Sequence, residues 1–200
     1  MTNRRAILAG AIASLAIAGG WVLFVGLPRW YGPKPAQPNG NAPAPASTSG
    51  ERKITATLYY ISTDGMALIG AQREVPFGDP ILEQARRIVE AQLQDAPPPL
   101  ASAVPRGTTL RSVFISDHGD AFVDLTGEVT SRHTGGALDE LFTVYSIVNA
   151  LTVNLPAITR VQILVDGKEV DTLAGHVDLR HPLQKNLKWV RTEKDEKEGS

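Results

Sequence analysis

Asp166-Gly167 divides two apolar runs within VNALTVNLPAITRVQILVDGKEVDTLAGHVDLRHPL, residues 148–183, and no other feature limits the fold as tightly. Asp-Gly favours a type I′ turn, because both central residues take positive φ and that twist matches two paired strands. The stretch therefore reads as a helix end, a strand, a tight hairpin, a second strand and a closing turn at Gly175-His176. Val161, Ile163 and Val165 alternate with Arg160, Gln162 and Leu164, as in a strand with one buried face.

The same unit occurs twice more upstream. Tyr60–Ile61 leads through Asp64-Gly65 to Leu68–Ile69, and Phe114–Ile115 leads through Asp117–Gly119 to Phe122–Val123. Two helical patterns separate the hairpins. The first opens at Asp79-Pro80, read as an N-cap followed by proline at the first helical position. Ile81, Leu82, Ala85, Ile88, Val89 and Leu93 follow at helical spacing, with Glu83/Arg87 and Arg86/Glu90 four apart on the solvent side. The second runs over 136–154, with Leu138, Leu141, Tyr145, Val148, Thr152 and Leu155 as its expected apolar stripe, and Pro156 stops it. The expected fold class is α+β: a two-layer sandwich of hairpins and two helices in the order β-β-α-β-β-α-β-β, following an N-terminal transmembrane helix.

Residues 6–27 are 22 positions without a charge, and about 20 residues span a bilayer core. Arg4 and Arg5 precede the run and Arg29 and Lys34 follow it, so the side-chain charges are even and the amino terminus itself tips the expectation to an N-terminus in the cytoplasm; Trp21, Trp30 and Tyr31 sit where interfacial aromatics belong. A cleaved signal peptide ending at Ala16-Ile17-Ala18 is the competing account, but signal cores run only about 7–15 residues. The expected organisation is an anchor at 1–31, a linker at 32–51 with five prolines, a globular domain at 52–190 and a charged tail at 191–200. This describes a single-pass bacterial membrane protein whose domain lies outside the cytoplasm.

Residues 52–190 carry 13 Lys/Arg against 16 Asp/Glu, so the basic face that a nucleic-acid partner requires is not expected. The chain has no cysteine, which excludes disulfides, thiolate metal sites, a cysteine nucleophile and N-terminal lipid attachment.

The helix YSIVNALTVNLP at 145–156, the hairpin VQILVDGKEVDTLAGHVDL at 161–179, Pro182 and the first hairpin ATLYYISTDG together resemble the GerMN domain. This is the sporulation and spore-germination type domain of bacterial envelope proteins. The likeness covers residues 54–183. It implies a non-enzymatic envelope domain, associated in spore formers with assembly of a transenvelope complex and similar in fold to the ring-building modules of secretion systems. Some GerMN proteins are lipoproteins, and this cysteine-free chain departs from them.

No G-x-S-x-G, H-E-x-x-H, Walker or G-x-G-x-x-G motif occurs. His176, Asp178 and His181 are the best candidate cluster, since two imidazoles and a carboxylate could ligate zinc. Backbone hydrogen bonding at a turn explains the same residues more simply. Asp117, His118, Asp120 and Asp124 form a second polar group, with too few oxygens for calcium and the right types for a turn. Arg132-His133-Thr134-Gly135-Gly136 precedes the second helix, where an anion could bind, or where Thr134 simply caps the helix. Asn149 lies beside the apolar stripe and is expected to bond strand backbone or a partner's edge. No catalytic, metal or cofactor residue is assigned. The leading expectation is an interaction or assembly module for an envelope protein or for its own copies. A peptidoglycan-binding module stacking on Tyr59, Tyr60 and Trp189 is the alternative, and a hydrolase using His176 and His181 comes third.

Overall fold

The computed structural model describes residues 52–191, which fall within one compact unit. The expected membrane segment, the Pro-rich linker and the tail from residue 192 onward lie outside the described residues. Among the described residues no helix is long and apolar enough to cross a membrane.

The chain runs β1 (Lys53–Ile61), β2 (Leu68–Pro76), α1 (Ile81–Gln92), β3 (Leu110–Ile115), β4 (Asp120–Leu125), α2 (Glu128–Ser131), α3 (Ala137–Asn154), β5 (Arg160–Val165), β6 (Lys168–Glu169), β7 (Leu183–Gln184) and β8 (Val190–Arg191). The expected order of strand pairs and helices holds, with α2, β7 and β8 added to it. Each of the three hairpin turns has a glycine at positive φ: Gly65 at 70°, Gly119 at 81° and Gly167 at 77°. Asp166 joins Gly167 at φ 49°, so both central residues have the positive φ that a type I′ turn demands.

β1 and β2 pair antiparallel along their full length, and β8 adds to β2 in parallel. The second sheet runs β3-β4-β5-β6, with β7 also paired to β5. β4 and β5 are parallel, which two strands can manage only through a long crossover, and α2 and α3 supply it. α3 packs against β1 and also against β5 and β7, so it stands between the sheets instead of covering one of them. That departs from the expected two layers.

This position inverts the expected stripe on α3. Eleven of its 18 residues are buried, among them Phe142, Val144, Ile147, Ala150 and Leu151. Of the expected stripe, Val148 and Thr152 are buried, but Leu138, Leu141, Tyr145 and Leu155 are only half-buried. A helix with a sheet on more than one side has no single apolar face for periodicity to find.

α1 does show one face, burying Ala85, Ile88 and Val89. Arg87 meets Glu83 at 3.2 Å and Arg86 meets Glu90 at 3.0 Å on the outer side, as expected. Ile81 and Leu82 are exposed instead of joining the core. Asp79 does not cap the helix. Pro80 takes the cap position in extended backbone with no side-chain hydrogen bond. Gln84 turns back instead, accepting from Gly78 N at 2.8 Å and donating to Pro76 O at 3.3 Å.

Two turn glycines should respond differently to a methyl group. At Gly167 a Cβ finds only Asp124 Oδ2 at 4.0 Å, so Gly167→Ala should cost only the left-handed backbone strain, about 1–2 kcal/mol. At Gly119 a Cβ would lie 2.6 Å from the Ala157 carbonyl oxygen. Urea unfolding should therefore show Gly119→Ala as the less stable of the two.

Candidate functional site

α3 is buried almost all round, and four of its polar side chains reach the main chain of four other segments. Glu140 is 0 % exposed. Its Oε1 accepts from Leu173 N at 2.7 Å and Ala174 N at 2.9 Å, and its Oε2 accepts from His176 N at 2.7 Å. His176 Nδ1 faces the same oxygen at 3.1 Å. Gly175, at φ 95°, lets the 173–177 loop bend so that these N–H groups converge. Burial pushes the Glu140 pKa up, but hydrogen bonds from Ala174, His176, Leu173 and Val177 outweigh it and hold the pKa below its ordinary value.

Thr143 Oγ1 donates to Ala103 O at 2.6 Å. Asn149 accepts from Asn186 N at 2.9 Å and donates to Asn186 O at 2.8 Å. Asn154 makes the same pair of hydrogen bonds with Thr57, accepting from its N–H at 2.9 Å and donating to its carbonyl oxygen at 2.8 Å. Gln92, at the end of α1, does likewise to Tyr59, at 2.9 Å and 2.7 Å. The expected contact of Asn149 is thus with backbone, in the segment before β8. The sequence reading missed Glu140, Gln92 and Asn154. For Glu140 one signal was available, as the last charged residue before the uncharged run 141–159.

The structure scatters the His176–Asp178–His181 cluster. All three lie in irregular chain between β6 and β7, and His176 Nδ1 is turned to Glu140. Asp178 forks onto Arg180, at 2.9 Å and 2.7 Å, and this side-chain bond above all holds its carboxyl well below the usual range. Among the described residues no group of three or more acidic or histidine side chains is placed to hold a metal ion.

The second group divides as well. Asp117 and His118 are exposed in the β3–β4 turn. Asp120 is gripped by Arg160 at 2.7 Å and 2.8 Å across the β4–β5 pair. Asp124 meets Arg111 Nε at 3.0 Å and accepts from Gly167 N at 2.7 Å. These carboxylates fasten strands and turns.

Thr134 does not cap α3 as expected. Gly136 is at the cap with φ 95°, and Thr134 donates instead to Asp139 Oδ2 at 3.2 Å. Asp139 and Glu140 already place negative charge in the first turn, which disfavours an added anion there. Residues 132–134 wall a cleft of about 480 Å³ together with Ile61 and the 95–106 loop. In that wall His133 Nδ1 accepts from Gly135 N at 3.0 Å, so its Nε2 carries the proton and donates to Thr143 Oγ1 at 3.2 Å. A histidine in this tautomer cannot take the threonine proton, so the pair is not arranged as nucleophile and base. Tyr59 and Tyr60, at 3 % and 1 % exposure, offer no stacking surface, whereas Trp189 is 42 % exposed.

The sequence matches the Germane model, described as sporulation and spore germination, over residues 57–171, more than half of the chain. The chain belongs to the Germane family. Two solved structures share the fold of this Germane domain. The first GerMN domain of the sporulation protein GerM from Bacillus subtilis aligns with 66 % of this chain and 97 % of its own, at 21 % identity and TM-score 0.52. The tandem GerMN domains of the same protein align with 68 % of this chain and 46 % of theirs, at 21 % identity and TM-score 0.53. A candidate lipoprotein from Clostridium perfringens aligns at 26 % identity over 66 % of this chain and 88 % of its own, with TM-score 0.48. No curated protein matches the sequence.

Glu140→Ala leaves several buried N–H groups of the Germane domain without an acceptor and should cost about 3 kcal/mol or more in urea unfolding. The acid response has a defined sign. The folded-state pKa of Glu140 is depressed, so its contribution is present above the unfolded value, about 4.3, and is lost as pH falls through the folded value. Wild-type stability should drop in this acid window, and Glu140→Ala should flatten part of that drop.

Proposed function

We propose that this Germane protein is a membrane-anchored, extracytoplasmic interaction or assembly module of the bacterial cell envelope, acting by binding and not by catalysis. The observation that carries the reading is the uncharged run 6–27, followed by a Pro-rich spacer and then a single Germane domain. The polar chemistry of the domain agrees with it: Glu140, Thr143, Asn149, Asn154 and Gln92 are each committed to main chain of the domain itself. The family description, sporulation and spore germination, supports a role for the module in one of these processes. The partner is an envelope protein or a second copy of the chain, held at a distance from the bilayer that the linker sets.

Two measurements test the reading. Carbonate-washed membranes should retain the full-length chain, with residues 52–191 open to protease from outside. A soluble product beginning near Gly19 would overturn the anchor. Deleting residues 32–50 should impair function in the cell while the thermal midpoint of the domain stays unchanged. Full function after that deletion would remove the role given to the spacer.

A further inference from the structure

We propose that the cleft between the 95–106 loop and the start of α3 binds a short aliphatic peptide carrying both a carboxylate and an ammonium group, as the stem peptide of a bacterial cell wall does. The proposal rests on the extracytoplasmic placement given above and adds a ligand to the protein partner.

The cleft holds about 480 Å³, enough for a few residues, and continues into a hollow of about 260 Å³ that shares Asp95, Ser102, Val104 and Arg106 with it. Its apolar lining is aliphatic: Ile61, Leu100, Val104 and Pro105, with alanines among them. No Phe, Tyr or Trp lines either space, so neither offers a flat face on which a sugar ring stacks.

Two opposite charges in the cleft lack a counter-ion. Arg86, Arg106, Arg111, Arg160 and Arg180 each meet a carboxylate, whereas Arg132 has no salt bridge among the described residues. Its guanidinium is nevertheless held in place. Nη1 donates to Arg106 O at 3.3 Å, and a Cβ on Gly107 would lie 2.7 Å from the same nitrogen, so the group rests on bare backbone. Its remaining N–H groups form the planar fork that fits a carboxylate. The Asp139 carboxylate accepts from Thr134 Oγ1 at 3.2 Å and pairs with no cation among the described residues.

The main chain supplies a third feature. Ala103 and Val104 are buried, and among the described residues their N–H groups have no hydrogen-bond partner. Buried N–H groups left in this way are rare in folded proteins. Thr143 holds the Ala103 carbonyl at 2.6 Å, and the planar trans peptide then turns the Val104 N–H away from Thr143. A peptide ligand brings the carbonyl oxygens that such groups require. Its carboxylate goes to Arg132 and its ammonium to Asp139, while its aliphatic part lies on Ile61, Leu100 and Val104. The negative charge in the first turn of α3 steers the carboxylate to Arg132.

The probe is synthetic N-acetyl-L-alanyl-γ-D-glutamyl-L-lysine, titrated calorimetrically into the full-length protein in lipid nanodiscs. Binding should saturate, and Arg132→Gln or Asp139→Asn should each weaken it by about tenfold or more while the unfolding midpoint stays unchanged. Amidating the carboxylates of the probe tests the same pairing without altering the protein. It should weaken binding to wild type about tenfold, and binding to Arg132→Gln little further, because that contact is already gone. Equal losses in both proteins would overturn the pairing with Arg132. Binding untouched by both substitutions would overturn the cleft as the site. An all-L, α-linked peptide of the same composition binding more tightly would overturn the wall as the source, and peptide-free glycan strands doing so would overturn the peptide as the ligand. Failure of the probe to bind would overturn the proposal and leave the module reading intact, since the titration does not depend on where the chain resides in the cell.

Discussion

The fold depends on how one buried helix disposes of its polar side chains. α3 lies between two sheets, so polar side chains on its buried faces must find partners inside the protein. An unsatisfied buried group costs about 1–3 kcal/mol. Glu140, Thr143, Asn149 and Asn154 each avoid that cost by binding main chain from a segment distant in sequence. Those segments are the 173–177 loop, the 95–106 loop, the approach to β8, and β1. The helix thereby specifies where irregular chain lies, which apolar packing alone does weakly.

The same economy governs the sheet edges. A primary amide presents an N–H donor and a C=O acceptor side by side, as the edge of an extended strand does, so Gln92 and Asn154 can stand in for a missing strand beside β1 at Tyr59 and Thr57. An edge closed in this way cannot template another chain. Among the described residues β3 keeps the outward main chain of Val113 and Ile115 without hydrogen-bond partners and carries the exposed phenyl ring of Phe114.

The parts of this architecture differ in how far they could be read in advance. The hairpin turns at Asp64-Gly65, Gly119 and Asp166-Gly167 were legible, because positive φ is a local requirement that few residues meet. α3 was legible in extent, from Gly136 to Asn154, but not in orientation. Its buried residues follow from two flanking sheets, and local spacing holds no trace of the second. The candidate clusters were neighbours in sequence only: Asp178 turned to Arg180, Asp124 to Arg111 and Gly167, and His176 to Glu140, 36 positions away.

The amino-acid sequence by itself determined the hairpin units, the helix lengths, the uncharged N-terminal run, the absence of thiol chemistry and the family resemblance, since each is set by neighbouring residues or by composition. Only the tertiary structure decided the parallel β4–β5 pairing, the burial of Glu140 beneath the 173–177 loop, and which edges are closed. Those outcomes depend on groups dozens of positions apart, such as Asn154 and Thr57, that meet only after the core has packed. A side chain's role there is settled by the main chain brought to it, which no local pattern records.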